Sequence, residues 1–132
     1  MDYIIKIDTD TTYTETAPKS TIIKMTKGRL RGGFIYFPSG GAGLLHCKLR
    51  RGLHQILPVN DGGSYALDDC VIPINIGYQL NTPPYEIEIL TWNNSTSYEH
   101  TLTVGLFLFP ANSVLEEKKR PGLIPRLLGI RK

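Results

Sequence analysis

Cysteine is nearly absent from this chain: Cys47 and Cys70 are the only two in 132 residues. A disulfide framework is excluded as the main source of stability. The length makes one unnecessary, because a domain near 150 residues hides roughly 70% of the surface its unfolded form exposes. The two thiols read as structural groups of a reducing compartment, with a single bridge between them left open by the sequence. Histidine is as scarce. None of His46, His54 and His100 stands at the two-to-four-residue spacing of a zinc site from another histidine or a cysteine, so no metal centre is expected. His46 and His54, with Asp68 and Asp69, read instead as hydrogen-bonding surface.

Long apolar runs are missing too, and none approaches the ~18–20 residues of a membrane-spanning helix, so no membrane partner is expected. The opening Met1-Asp2-Tyr3-Ile4-Ile5-Lys6 shows no basic leader followed by an apolar stretch and a cleavage site, which sets the expectation of a protein made in the cytoplasm. Catalytic signatures are lacking as well. Ser39-Gly40-Gly41-Ala42-Gly43 has no Gly-Lys-Ser/Thr ending and precedes a strand, so it reads as a turn and not as a phosphate cradle. Ser39 stands in Pro-Ser-Gly, not in the Gly-x-Ser-x-Gly of a hydrolase elbow. Glu86 and Glu88 lie two apart on one strand, where glycosidases place their carboxylates across a cleft, and they read as a solvated strand face. No catalytic residue, cofactor site or metal ligand is assigned, and the chain is not expected to be an enzyme.

What is present is a single globular composition, 41% hydrophobic and 20% charged, with its charge unevenly placed. Glu116 to Lys132 holds six basic residues against two acids, while the body from Met1 to Leu115 carries nine against ten, so the net +3 belongs to the tail. Within the body, Lys24 to Arg51 holds seven cations and no acid, and Gly52 to Leu115 holds six acids and no lysine or arginine. Either the two stretches form opposite faces that steer association, or strands from the two halves pair and neutralise each other; the second reading is favoured. The cations interleaved with Phe34, Tyr36 and Phe37 are compatible with single-strand nucleic-acid binding, but the acidic remainder of the body argues against it.

Period-two alternation predicts strands almost throughout. Leu45, Cys47 and Leu49 against His46, Lys48 and Arg50 is the clearest case, with the second set outward. Ile22–Thr26, Phe34–Phe37, Leu53–Leu57, Tyr65–Leu67, Cys70–Ile76, Tyr85–Trp92 and Tyr98–Phe109 follow, bounded by Gly, Pro and Asn clusters. Pro73 places its strand at a sheet edge or a bulge. The threonine-rich Asp8–Thr16 suits an edge strand or an extended arm. The implied fold is all-β, an antiparallel, jelly-roll-like β-sandwich over 21–110. An N-terminal arm or edge strand over 1–20 precedes it, and a short helical turn (Val114–Lys119) plus an extended basic tail over 111–132 follows it.

Three groups of residues stand out as contact candidates. Leu102, Val104, Leu106 and Leu108 claim one face of the last strand, yet Phe107 and Phe109 make its other face apolar, which needs cover from a loop or a subunit. In the tail, Leu123, Ile124, Leu127, Leu128 and Ile130 are costly to leave in water, ~1.5–3 kcal/mol each, and stand among Arg126 and Arg131; they read as a docking peptide. Trp92, Asn93 and Tyr98 form an aromatic-and-amide set of the type used on carbohydrates. The alternative, a tryptophan closing one end of the sandwich, is favoured there. The overlapping glycosylation sequons of Asn93-Asn94-Ser95-Thr96 read as incidental.

The order Lys27-Gly28-Arg29-Leu30, Phe34-Ile35-Tyr36-Phe37-Pro38-Ser39-Gly40, Leu44-Leu45-His46-Cys47, Gln55-Ile56-Leu57-Pro58 and Pro84-Tyr85-Glu86-Ile87-Glu88-Ile89 resembles small β-sandwich accessory proteins of tailed viruses of prokaryotes. The resemblance covers Thr21 to Phe109 as a pattern, without a diagnostic motif. It implies a capsid-decoration or turret component of the virion, a trimer or other ring of itself docked on a major capsid or other virion protein. The tail or the N-terminal arm would be the anchor. The runner-up is a carbohydrate- or ligand-binding module using the loops near Trp92.

Overall fold

The computed structural model describes residues 1–40, 42–60, 62–95 and 97–110. Eight strands make up two four-stranded antiparallel sheets: β1 (Asp2–Thr9), β2 (Lys19–Lys24), β3 (Gly28–Phe37), β4 (Leu45–Arg51), β5 (His54–Leu57), β6 (Cys70–Leu80), β7 (Glu86–Asn93) and β8 (His100–Pro110). Sheet 1 runs β1-β8-β3-β6 and sheet 2 runs β2-β7-β4-β5. Only the β4–β5 hairpin stays within one sheet; every other connection crosses between the two. The hairpin turns on Gly52, whose φ of 59° is open to a residue without a Cβ.

Alternation decides the packing. Leu102, Val104, Leu106 and Leu108 of β8 point inward, as do Leu45, Cys47 and Leu49 of β4, and all seven are buried. The inner faces of the two sheets meet in one core completed by Leu30, Ile35, Phe37, Ile87 and Ile89. Polar stitching joins the sheets at one end, where the buried Thr9 and Thr91 hydroxyls lie 2.9 Å apart.

The four longer connections, 10–18, 38–44, 58–69 and 94–99, gather at that same end. Asn93 N donates to Tyr13 O (3.2 Å), Asn94 N to Leu44 O (2.9 Å) and Asp69 N to Pro38 O (3.2 Å), tying them to one another. At the opposite end Arg51 donates to the Thr82 and Pro84 carbonyls, holding the β4–β5 hairpin against the β6–β7 connection.

Several expected boundaries move. Residues 2–9 form edge strand β1, so the sheets draw on the segment 1–20 as well as on 21–110, and of Asp8–Thr16 only Asp8 and Thr9 lie in a strand. Tyr65–Leu67 is not a strand; Tyr65 makes one isolated bridge to Cys47. The edge position expected from Pro73 is where β6 lies, and β6 continues to Leu80. The helical turn Val114–Lys119 and the tail residues Leu123, Ile124, Arg126, Leu127, Leu128, Ile130 and Arg131 lie outside the described residues.

Candidate functional site

The outer face of sheet 1 carries an apolar row that crosses all four of its strands. Register sets Ile4, Gly105, Phe34 and Pro73 side by side across four strands. The neighbouring row brings Lys6, Thr103, Tyr36 and Val71 together, and the row on the other side places Phe107 between Asp2 and Gly32. Ile4 is 63% exposed, Val71 55%, Tyr36 39% and Phe107 37%.

Gly105 creates the shape of this face. A Cβ at that position would stand 2.3 Å from Cε1 of Phe34, so the glycine lets the Phe34 ring lie down across β8. That ring reaches Phe107 at a centroid distance of 6.3 Å and a tilt of 56°, an arrangement aromatic pairs favour. Phe109, the other expected interface residue, has the Arg31 guanidinium 5.3 Å above its ring. Isolated exposed hydrophobes are ordinary on a protein surface; this row spans four strands and is bordered by Arg29, Arg31 and Lys6.

The outer face of sheet 2 is built differently. Its cross-strand partners Arg50 and Glu88 make an ion pair of 2.7 Å, and Ser20 also donates to the Glu88 carboxylate. The Arg50 hydrogen bond, reinforced by Ser20, holds the Glu88 carboxyl below its ordinary value despite partial burial. Lys24 stands opposite Glu86 on the adjacent strand. The cations of Lys24–Arg51 are thus divided between both outer faces, and part of their charge is met by the acids of β7, the neutralising arrangement favoured from the sequence.

At the long-loop end, Trp92 is only 3% exposed. His46 stacks on its indole at 5.0 Å with an interplanar angle of 8°, and Lys48 Nζ lies 5.8 Å from the ring centroid. The Asn94 amide donates to His46 Nε2 (3.2 Å), so Nδ1 carries the proton and donates to Ser64 Oγ (2.9 Å). Burial lowers the His46 pKa, with Glu15 opposing the shift. Asn93 is buried and donates both amide hydrogens within the chain, to Thr9 O (3.0 Å) and Tyr98 O (2.8 Å), while its Oδ1 accepts from Ser95 N (2.9 Å). Of the three residues expected as a ligand surface, only Tyr98, at 70% exposure, presents its side chain to solvent.

Cys47 is buried and Cys70 half-buried, and both are free thiols. Burial drives the Cys47 pKa far upward, which leaves its thiol protonated and unreactive. No group of three or more His, Cys, Asp or Glu among the described residues is placed to hold a metal.

Phe107 is marked by its own strand in the sequence, whereas Ile4, Val71 and Pro73 become its companions only in the folded sheet. The alternation of Tyr3, Ile5, Ile7 and Thr9 against Asp2, Ile4, Lys6 and Asp8 is the signal that marks Ile4 as an outward residue of a strand. No protein-family model, curated protein or solved structure matches the chain.

Proposed function

We propose that this chain is a structural component of a virion, a self-associating sandwich that docks on neighbouring copies and on a shell protein through the outer face of sheet 1 and its C-terminal segment. The observation that carries the reading is the apolar row Ile4, Phe34, Pro73 with Phe107 and Tyr36 beside it, on a sheet that has no helix or further sheet over it among the described residues. Covering such a face with a second molecule removes apolar area from water at ~25 cal/mol per Å².

The strand order supports reading the sandwich as a jelly roll. Pairing first with last strand, then third with sixth, over second with seventh and fourth with fifth, is two Greek keys wound together. Viral capsid and lectin domains both use that architecture, so it is the site that favours the first: Trp92 is covered and Asn93 engaged, whereas the sheet 1 face is open.

The tail from Pro121 to Lys132, with five leucine and isoleucine side chains and three cations, supplies both area and charge for a neighbour. Light scattering on the full chain and on a version ending at Lys119 tests the reading. The full chain is expected to run as an oligomer that the truncation reduces in size; equal monomeric masses for both overturn it.

A further inference from the structure

We propose that two copies of this chain join edge to edge through β1, antiparallel about a two-fold axis at Ile4, so that sheet 1 continues across the pair as one eight-stranded sheet. This rests on the self-association reading above and specifies the surface and the register.

The ladder between β1 and β8 fixes which backbone groups of β1 are available. Met1 and Leu108 exchange both of their hydrogen bonds, each at 2.7 Å. In an antiparallel pair such residues alternate with pairs that make no mutual bond. Met1, Tyr3, Ile5, Ile7 and Thr9 therefore bond to β8, and Asp2, Ile4, Lys6 and Asp8 direct their N–H and C=O groups to the open side of the strand. The Asp8 carbonyl is already met by Lys19 Nζ at 2.5 Å, which closes that end of the edge. Among the described residues Asp2, Ile4 and Lys6 remain as an unpaired template on an eight-residue strand, an arrangement that folded proteins rarely leave bare.

Charge selects the register. Antiparallel pairing of β1 with itself must match open residues with open residues. Centring on Ile4 sets Asp2 of each copy opposite Lys6 of the other, with Ile4 facing Ile4 between the two attracting pairs and Tyr3 facing Ile5 on the inner side. Moving the centre to Ile5 sets Asp2 against Asp8, and moving it to Lys6 sets lysine against lysine; like charges directly opposite are destabilising.

Ile4 is 63% exposed and Ile22 50%, and both line an open groove of about 420 Å³ between β1 and β2. Ile4 lies on the axis, so the contact covers it and closes one side of the groove. It also joins the apolar rows of the two copies, since Ile4 is the end residue of each. The contact is isologous, so it closes on itself as a dimer and can serve as the unit of a larger assembly.

Ile4→Pro tests the seam in the full chain. The Ile4 N–H is not used in the ladder with β8, and proline is tolerated at such an edge position, so the fold should keep its melting temperature while the dimer dissociates. Hydrogen exchange of the full chain should protect the Asp2, Ile4 and Lys6 amides at high concentration and leave that of Asp8 unprotected. Lys6→Asp should weaken the dimer on the order of tenfold, and adding Asp2→Lys should restore it. An oligomer unchanged by Ile4→Pro, with those three amides exchanging freely, overturns the seam while self-association stands. A full chain that is monomeric throughout, with the same free exchange, overturns both.

Discussion

At the residue scale, the polar side chains that the sequence singled out near the long loops are structural. Asn93 bridges the end of β1 and the β7–β8 connection through its two donated hydrogens. Asn93→Ala leaves the buried Thr9 carbonyl without that donor and should cost ~1–3 kcal/mol, read as a lower urea midpoint at constant slope. His46 gives a pH signature. Its folded pKa lies below the ordinary 6.5, so the unfolded chain takes up the proton first. Its contribution is complete above that value and is lost as pH falls from 6.5 through the folded pKa. Melting temperature should fall across that window in the native chain and fall less in His46→Gln. Glu88, held below 4.5 by Arg50, loses its contribution in the same direction but at lower pH. Gly105→Ala forces a methyl into the Phe34 ring and should cost ~1–3 kcal/mol, besides reshaping the outer face of sheet 1.

At the element scale, strands with one face in the core were the legible ones. In β4 the burial alternates with the sequence, and in β8 the alternation of the four inward aliphatics is explicit without any knowledge of the pairing. Strand β1 was legible only as an arm or edge strand, because Ile4 puts an isoleucine on the outer face beside the inward Ile5 and blurs an otherwise regular alternation. Tyr65–Leu67 misled in the other direction: a short apolar run without a partner strand makes only a bridge. Site residues followed the same logic. Phe107 was visible from within one strand, whereas Val71, Pro73 and Ile4 join it only through pairing across four strands, which no local pattern encodes. Thiol reactivity checks this layering, since β4 buries Cys47 inside the sandwich and β6 leaves Cys70 half-open at an edge. In native protein a maleimide reagent should label Cys70 well ahead of Cys47, and Cys47 should become reactive only on unfolding.

At the scale of the whole molecule, the two sheets divide labour. Sheet 2 turns a neutralised polar face outward, with Arg50 on Glu88 and the His46–Trp92 stack closing its loop end. Sheet 1 turns outward an apolar row, with an edge at its β1 side that is unpaired among the described residues. Cations flank that row on both β1 and β3, so added salt should change how fast copies meet more than how tightly they hold. The account depends most on that row being covered in solution. Its most direct test is the light-scattering mass of the full chain and of Phe107→Glu at concentrations from about 1 to 100 μM, the span in which interfaces of modest affinity assemble. The account predicts a multiple of 14.8 kDa for the native chain that falls toward the single-chain mass on substitution, with the melting temperature retained. A native chain of 14.8 kDa at every concentration would contradict it.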